Sequence, residues 1–386
     1  MTAPVVAQPA PVLPPMVLPS YGSSTLAELI PGIAAKLGVS GYRDDPLDLP
    51  AGNRYVVVMI DGLGWHLLQE SIRQVPYLAS LLARARPITA AVPSTTTTSL
   101  ASLGTGLPPG QHGLVGYTSR VPETGEILNA LTWESDVAPR SFQAKATLFE
   151  QARASGVAVS SVALERFKGS GLTEAALRGA DFVGFLHEKR LDERILLVVA
   201  AALRAKRTLV YAYERELDHC GHVDGCQSSS WQRQLRRVDR LCERLRATLP
   251  SDVRIVITGD HGMVNVPPTH HVIAEDEPVL MAGVSALAGE GRFRQLYVDR
   301  DRPARVAARW RDRLGERAWV RTRDEAVDEG WFGPMDEHLR DRWGHVLVAM
   351  RGDHAVMTRQ FMREWSLFGM HGSLTPAEMM IPLCCD

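Results

Sequence analysis

Residues 54–62 read RYVVVMIDG, a run of six apolar side chains that ends at Asp61 and Gly62. Two later runs have the same character, TLVYAY at 208–213 and VRIVIT at 253–258. Strands that are covered on both faces of a parallel sheet are apolar along almost their whole length. The sequence therefore predicts buried strands over Arg54–Ile60, Val157–Val162, Thr208–Tyr213 and Val253–Thr258.

Amphipathic stretches separate these runs. They predict helices over His66–Arg73, Pro76–Arg84, Ser141–Ala154, Glu188–Ala205 and Ser229–Thr248. The last stretch carries apolar residues at spacings of three and four, from Trp231 to Leu249, which indicates one buried helical face. Strands that alternate with helices predict an α/β fold, here a three-layer α/β/α sandwich with a mostly parallel central sheet.

The character of the chain changes between Val264 and Gly369, where Arg and Asp become frequent and most of the tryptophans lie. We predict a smaller, cap-like subdomain inserted over residues 264–369, and a catalytic domain formed by residues 26–263 and 370–386. Residues 1–25 are rich in Pro and predict a flexible arm on the surface. For the aromatic residues of the insertion we expect subdomain core, with stacking on a ligand as the alternative: Trp331, Phe332, Trp343 and Trp365.

Composition restricts the possible partners. The chain has 386 residues, of which 45% are hydrophobic, and a net charge of -1, so it offers neither a basic nucleic-acid surface nor an electrostatic membrane anchor. The first twenty residues lack Lys and Arg, and no apolar run is long enough to cross a bilayer, so we expect a cytoplasmic protein. Five cysteines without CxxC spacing argue against disulfides, and we expect Cys384 and Cys385 to be exposed, reduced thiols.

Polar side chains follow the predicted strands, where open α/β sheets bind ligands. Asp61, taken alone, is better explained as a turn or helix-cap residue. In PSTTTTS, residues 93–99, threonine hydroxyls can cap a helix start or face a phosphate there. His112 in PPGQHG is expected in a turn close to this region, whereas His270 and His271 are expected to be solvated in a Pro-rich loop.

Three further segments carry groups that bind metals. Asp218 and His222 are four residues apart, a spacing that can aim a carboxylate and an imidazole at one zinc, manganese or iron ion. Burying the adjacent Asp260 and His261 at a strand end is costly unless they are paired or metal-bound. His371 adds one more imidazole near the end of the chain. Three aspartates, three histidines and a hydroxyl are the set that two ions sharing one phosphate require.

Taken in this order, the segments resemble the type I phosphodiesterase/nucleotide pyrophosphatase branch of the alkaline phosphatase superfamily. The resemblance extends from Tyr55 to Leu383 and rests on the strand-end Asp, the P-x-x-T loop ending in TG, the D-x-x-G-H pair, GDHGM, and the late HG followed by E-M-x-x-P-L. It implies hydrolysis of phosphodiester or pyrophosphate bonds in a small, nucleotide-like substrate, through a phosphothreonine intermediate, with two divalent metal ions, of which zinc is expected first.

The resemblance also implies residue roles. Thr96 is the nucleophile, counted back from Thr105, with Thr95 and Thr97 as neighbouring alternatives. One ion would be held by Asp61, Thr96, Asp260 and His261, and the other by Asp218, His222 and His371. Where the family commonly has an Asn that holds a phosphate oxygen, this chain has Ser99, which we expect to bind substrate.

Two other functions stay open from the sequence. A phosphomonoesterase or phosphonate hydrolase could use the same scaffold, with an added cation near the phosphate; Arg120 and Arg166 are available for that role. A scaffold that binds nucleotides without turnover is disfavoured, because the whole ligand set and the hydroxyl are present.

Overall fold

The computed structural model describes residues 13–298 and 302–386. In chain order, the strands of the described residues are β1 (Arg54–Ile60), β2 (Arg86–Thr89), β3 (Thr118–Arg120), β4 (Ile127–Asn129), β5 (Ala158–Leu164), β6 (Asp181–Phe185), β7 (Thr208–Glu214), β8 (Val253–Gly259), β9 (Val264–Asn265), β10 (His271–Ile273), β11 (Val284–Glu290), β12 (Phe293–Val298), β13 (Ala318–Thr322), β14 (Val346–Met350), β15 (Ala355–Met357), β16 (Gly369–Met370) and β17 (Met380–Cys385).

The α-helices of the same residues are α1 (Leu29–Lys36), α2 (Trp65–Glu70), α3 (Pro76–Leu81), α4 (Thr96–Thr105), α5 (Pro109–His112), α6 (Pro139–Phe142), α7 (Leu148–Ala154), α8 (Gly171–Ala176), α9 (Leu191–Leu203), α10 (Glu216–Asp224), α11 (Ser229–Thr248), α12 (Pro278–Met281), α13 (Pro303–Leu314), α14 (Arg323–Asp328) and α15 (Pro376–Met379). No helix within the described ranges has the length and apolar character needed to cross a membrane.

The main sheet of the described residues has seven strands in the order β2-β17-β8-β1-β7-β5-β6. The pairs β8-β1-β7-β5-β6 are parallel, and β17 runs antiparallel to both of its neighbours. The sequence predictions of β1, β5, β7 and β8 are confirmed to within two residues at each end. The predicted mostly parallel sheet of an α/β fold is thus confirmed.

Side chains of β1 alternate between two hydrophobic cores, which explains its unbroken apolar sequence. Val57 and Met59 pack with α1, α4 and α7 on one face, whereas Val56 and Val58 pack with α2, α9 and α11 on the other. Since helices cover both faces, every position along the strand excludes water. The result is the predicted three-layer α/β/α sandwich.

One predicted helix is wrong. The stretch Ser141–Ala154 is not a single helix, because the chain leaves helical conformation after Phe142 and re-enters it at Leu148. Thr147 caps the second helix by accepting a hydrogen bond from the Glu150 amide, and the Glu150 carboxylate accepts from the Thr147 amide. This reciprocal pair fixes a helix start at that position.

A smaller antiparallel sheet in the order β11-β12-β14-β13 lies within residues 284–350. Its core includes Trp310 of α13 packed on Val346 and Val348 of β14. The chain enters this region through β9 and leaves it through β16, and these two strands pair antiparallel. The boundaries predicted at Val264 and Gly369 lie in those strands.

Two further expectations concern the chain ends. Within the described part of the predicted arm, the Val17 amide donates to the Leu374 carbonyl at 2.9 Å, so residues 13–25 lie along the folded body, while 1–12 fall outside the described residues. The expected exposure of Cys384 is wrong: its side chain is buried in β17 between β2 and β8, and Cys385 is only partly exposed. All five cysteines are free thiols.

Candidate active site

The polar residues predicted from the sequence gather at one edge of the main sheet. Asp61 follows β1, Asp218 lies in α10 just after β7, and Asp260 follows β8. These three strands are neighbours in the order β8-β1-β7 and run parallel, so their carboxyl ends lie side by side. Parallel topology therefore converts three distant sequence positions into one acidic cluster.

The hydroxyl of Thr96 contacts this cluster. Its Oγ1 lies 3.4 Å from Asp61 Oδ1 and 3.2 Å from His261 Nε2, at the first residue of α4. Of the four consecutive threonines, Thr96 is the one whose side chain is partly exposed, whereas the Thr97 and Thr98 hydroxyls are buried and have no hydrogen-bond partner among the described residues. The placement supports Thr96 over its neighbours as the reacting hydroxyl.

Asp218, His222 and His371 form a second group. His222 Nε2 lies 3.3 Å from Asp218 Oδ2, and the rings of His222 and His371 have centroids 5.1 Å apart. One ligand atom of each of the three residues lies within 4.8 Å of the others, and the same holds for Asp61, Asp218 and His261. The two groups share Asp218 and are adjacent, since the His261 and His371 rings stack at 3.6 Å.

Each imidazole of the site is oriented through its Nδ1 atom. Nδ1 of His222 lies 2.7 Å from the Gly369 carbonyl, that of His261 lies 2.9 Å from the Gly262 carbonyl, and that of His371 lies 3.0 Å from the Ser94 carbonyl. A carbonyl oxygen can only accept, so Nδ1 carries the proton and donates. Nε2 of all three rings is then left as a lone-pair donor, the arrangement found around protein-bound metals.

The carboxylate of Asp260 resembles the imidazoles in that one of its oxygens is held by hydrogen bonds and the other is free. Asp260 Oδ1 accepts from the amides of Gly62 and His261, both at 3.0 Å, whereas its Oδ2 is buried without a hydrogen-bond partner among the described residues. Asp218 Oδ1 is likewise buried and unpartnered in the described part of the chain. Such orphaned oxygens are costly unless a cation binds them.

The pKa shifts of the site also indicate that it needs a bound cation. Burial raises the pKa of Asp61 well above its ordinary value, and the carboxylates of Asp260 and Asp218 raise it further. Burial likewise lowers the pKa of His371 well below its ordinary value, reinforced by His261 and His222. Crowded carboxylates beside imidazole nitrogens suit divalent cations, so the chemistry of the donor set fits the predicted pair of metal ions.

A glycine permits the tight packing of this edge. A Cβ atom on Gly262 would lie 1.9 Å from the Ala377 carbonyl oxygen, so any other residue would push the His261 loop away from the segment before β17. The Gly262 amide instead donates to the Glu378 carbonyl at 2.7 Å. Backbone approach thus sets the distance between the strand-end loop and the segment that carries His371.

The cluster opens into a cavity of about 370 Å³. Its wall is mostly apolar and aromatic beyond the polar cluster, with Tyr117, Leu131, Phe167, Leu172, Leu177, Phe182, Tyr211, Tyr213, Leu367 and Met370 in the lining. Charged side chains in the lining include Arg215, Arg363 and Glu290. A cavity with one polar end and a long apolar wall can bind a phosphate together with an apolar or planar substituent.

Two residues of the site were missed by sequence reasoning. The Tyr213 hydroxyl donates to Asp61 Oδ2, holding that carboxylate from the neighbouring strand β7. Glu290, at the end of β11, lies with Oε2 3.6 Å from His371 Nδ1, and burial raises its pKa well above the ordinary value. Tyr213 lies in TLVYAY, and the apolar pattern of that segment predicted a strand but not a role for the Tyr213 hydroxyl. Glu290 belongs to the smaller sheet and had no signal in the sequence around it.

Ser99 does not have the predicted position. Its side chain is fully buried, it does not line the cavity, and its hydroxyl donates to the Asp260 carbonyl at 2.7 Å. Ser99 lies one turn inside α4 and faces the end of β8, so its hydroxyl supports the Asp260 loop and does not face the cavity.

Other predicted side chains lie away from the cavity. His112 is buried in α5, with Nε2 3.0 Å from Ser102 Oγ, and burial lowers its pKa to about 3. Trp331, Phe332 and Trp343 pack together in a buried cluster and do not line the cavity. These three residues therefore belong to the core of the smaller subdomain, as expected, and they cannot stack on a ligand in the cavity.

Comparison with solved structures supports the fold. Murine ectonucleotide pyrophosphatase/phosphodiesterase 5, described as an inactive form in complex with AMP, superposes with a TM-score of 0.68 at 15% identity, over 86% of this chain and 87% of that one. Phosphonoacetate hydrolase from Sinorhizobium meliloti 1021, in complex with phosphonoformate, gives 0.67 at 19% identity, over 87% and 91%. No curated protein sequence matches the chain.

The sequence itself matches the family model of type I phosphodiesterase/nucleotide pyrophosphatase over residues 55–374, which is most of the chain. Members of this family are hydrolases of the phosphodiesterase/pyrophosphatase type and generally depend on divalent metal ions. The predicted resemblance is therefore confirmed, and the chain belongs to the type I phosphodiesterase/nucleotide pyrophosphatase family.

Proposed function

We propose that this protein hydrolyses phosphodiester or pyrophosphate bonds of small, nucleotide-like substrates through a phosphothreonine intermediate. The observation that carries the proposal is the position of Thr96 Oγ1, within 3.4 Å of both Asp61 Oδ1 and His261 Nε2, at the polar end of the cavity. A hydroxyl so placed lies beside the groups that activate it and opens toward the space for the substrate.

Two divalent cations complete the proposed site, with zinc as the first choice and manganese or iron as alternatives. Asp61, Thr96, Asp260 and His261 would hold one ion, and Asp218, His222 and His371 the other. When bound, the ions supply positive charge that activates a hydroxyl and balances charge on the phosphate oxygens. The buried oxygens of Asp218 and Asp260, which lack partners among the described residues, support this assignment.

The reaction follows from the position of the hydroxyl. Thr96 Oγ1 loses its proton and attacks phosphorus, the bond to the leaving oxygen breaks, and that oxygen takes the bonding electron pair and then a proton. Water next attacks the phosphothreonine, which releases the phosphorylated product and returns the hydroxyl. Free backbone amides at the start of α4 point toward the phosphate and favour its negative charge.

The cavity wall supports a substrate with a planar or apolar substituent. Phe167, Tyr211 and Tyr213 lie in the lining, and aromatic faces suit a base or an aryl group. A structural relative is described in complex with AMP, in keeping with such a ligand.

A second candidate is a phosphomonoesterase or phosphonate hydrolase. Two arginines in the cavity lining favour it, Arg215 and Arg363, and a structural neighbour is described as a phosphonoacetate hydrolase. Against it, Arg215 already pairs with Glu216 at 2.5 Å, and the Glu290 carboxyl group lines the same cavity. The added Arg120 and Arg166 considered from the sequence do not line the cavity.

Turnover of matched substrates tests the proposal. Purified full-length protein, loaded with zinc and separately with manganese, is offered an aryl phosphodiester, a dinucleotide pyrophosphate, the matching monoester and a phosphonate. We expect the diester or pyrophosphate to be hydrolysed fastest, and a phosphorylated Thr96 to be found after rapid acid quench. A fully metal-loaded protein that turns over none of the four would overturn the proposal, and preference for the monoester or phosphonate would establish the second candidate.

A further inference from the structure

A second group of metal-ligating side chains lies outside the cavity. His270, Asp353 and His354 each offer one ligand atom, and these three atoms lie within 4.8 Å of one another. His270 comes just before β10, and the other two come just before β15. Since β10 and β15 pair in parallel, the chain ends that enter them lie side by side. The group, here called the surface triad, is brought together by strand pairing, as the active-site residues are.

The two imidazoles of the surface triad flank a single carboxylate oxygen. Nδ1 of His270 lies 2.9 Å from Asp353 Oδ1, and Nδ1 of His354 lies 3.5 Å from the same atom. The rings stack at 4.7 Å with an angle of 10° between their planes. Two parallel rings thus present the same nitrogen on the same side, toward one acidic oxygen.

Neither of these nitrogens is satisfied by hydrogen bonding. Both Nδ1 atoms are shielded from solvent, and neither makes a hydrogen bond of acceptable geometry among the described residues, although Asp353 is close. The contact at 2.9 Å between His270 Nδ1 and Asp353 Oδ1 is therefore one of proximity, in which the ring does not direct an N–H bond at the oxygen. A shielded polar nitrogen without a partner carries a free-energy cost that a bound cation would remove.

An ion pair between protonated histidines and Asp353 explains the surface triad less well than a cation site does. It would require protonated imidazoles, but two stacked, protonated rings repel each other. Burial lowers the pKa of His354; the Asp353 carboxylate raises it, and His270, Arg317 and Arg292 lower it, so that the net shift is downward. Neutral imidazole is the form that binds metals. The positive charge of Arg292 is offset, since it forms a buried bidentate pair with Glu378.

We propose that His270, Asp353 and His354 bind a divalent transition-metal ion of the zinc type, separate from the active-site pair. Two imidazoles and one carboxylate are a ligand set that zinc accepts, with water in the fourth position. Tetrahedral binding at about 2.1 Å places donor atoms about 3.4 Å apart. The His354–Asp353 distance of 3.5 Å already fits this value, and the His270–Asp353 distance of 2.9 Å requires only a small outward adjustment of partly exposed side chains. The bound ion would tie the entry of β10 to the entry of β15.

The number of zinc ions bound per chain tests the proposal directly. Full-length protein is equilibrated by dialysis against buffered free zinc, and bound zinc is measured by elemental analysis for the wild type and for the double variant His270→Ala/His354→Ala. His338→Ala serves as the matched control, because His338 is an exposed histidine of the same region. Hydrolysis of an aryl phosphodiester is measured on every sample as an independent reading of the active site.

We expect the double variant to bind one zinc ion fewer per chain than the wild type and the control, with hydrolysis unchanged. Equal zinc in wild type and double variant would overturn the proposal, whatever the activity. If the double variant does not fold, Asp353→Asn replaces it, since this change keeps the side-chain shape and removes the charged ligand. The same one-ion difference is expected for Asp353→Asn, and zinc content equal to that of the wild type would again overturn the proposal.

Discussion

The surface triad and the active-site group of Asp218, His222 and His371 contain the same ligand types, two imidazoles and one carboxylate, but differ in what surrounds them. In the active-site group, both Nδ1 atoms lie within 3.0 Å of a backbone carbonyl, which leaves Nε2 free for a ligand. In the surface triad the Nδ1 atoms themselves face the carboxylate, and no hydrogen bond of theirs fixes the rings among the described residues.

The difference shows how a fold prepares a metal site. Rings held through one nitrogen need no rearrangement when the other binds an ion, so less of the binding free energy is lost to ordering. His371 is also almost fully buried, whereas the Asp353 side chain is 50% exposed. We therefore expect tighter binding in the active-site group, and chemistry only there, because only that group lies beside a hydroxyl and a cavity.

The largest expected effect comes from removing that hydroxyl. Thr96→Ala should lower kcat for an aryl phosphodiester by at least about a thousandfold, because the nucleophile acts with its activating groups as a unit. Thr98→Ala makes the same change two residues further along α4, where the hydroxyl has no hydrogen-bond partner in the described structure, and should leave kcat nearly unchanged. Steady-state kinetics on both variants, with unfolding curves to establish folding, provide the measurement. Near-normal turnover by Thr96→Ala would assign the nucleophile to another residue.

The same aspartate substitution in the two groups should have similar effects on metal content and very different effects on activity. Asp218→Ala should remove about one ion per chain and lower kcat/KM by about a hundredfold or more, since losing a ligand exceeds the usual effect of losing its supporting hydrogen bond. Asp353→Ala should also remove one ion, yet change kcat/KM by less than about twofold, since the surface triad lies outside the cavity. Elemental analysis and kinetics on the same preparations decide the matter. Equal losses of activity would mean that the surface triad affects turnover, and would contradict the expectation that only the active-site group supports chemistry.

Substrate charge should produce a smaller difference. We expect kcat/KM for an aryl diester to exceed that for the matching monoester by at least about tenfold, roughly 1.4 kcal/mol in transition-state free energy. The physical reason is the scarcity of free positive charge in the cavity lining: Arg215 pairs with Glu216, and the Glu290 carboxyl group beside His371 adds none, so the second negative charge of a monoester is poorly stabilised.

Glu290→Gln tests whether the Glu290 carboxyl group contributes a negative charge, because the variant removes the acidic group and keeps the side-chain shape. Since burial raises the pKa of Glu290 well above its ordinary value, the side chain is expected to hold its proton, and the ratio of diester to monoester kcat/KM should stay the same in this variant, measured with zinc and again with manganese. A ratio that falls in Glu290→Gln would show instead that an ionised Glu290 opposes the second negative charge of the monoester.

The smallest expected effect concerns a supporting hydrogen bond. Tyr213→Phe removes the hydroxyl that donates to Asp61 and should lower kcat/KM about fivefold, close to the roughly 1 kcal/mol of a typical hydrogen bond. Tyr211→Phe is the matched control from the same strand, since the Tyr211 hydroxyl is buried without a partner in the described structure and its loss should cost nothing. Equal behaviour of the two variants would show that Asp61 needs no support from β7.

The features that could be predicted from the sequence are those determined by neighbouring residues in the chain. Apolar runs gave the strands of the main sheet, and polar residues directly after those runs gave the positions around Asp61, Asp218 and Asp260, because parallel strands end at one edge. The direction of the Ser99 hydroxyl depends on the Asp260 carbonyl, 161 positions away, and no local pattern contains it. Glu290 approaches the site from a different sheet, and the break before Leu148 depends on a short capping pair within a longer helical pattern.

The position of β17 has a consequence for the order in which the protein matures during synthesis. This strand inserts between β2 and β8, and the segment just before it brings His371 against Ser94. Until the ribosome has produced that segment, β2 and β8 are not joined, and the group of Asp218, His222 and His371 lacks one of its three members. A nascent chain interrupted before residue 371 can form neither the finished seven-stranded sheet nor the complete polar cluster at its edge, and we expect such incomplete copies to lack hydrolytic activity.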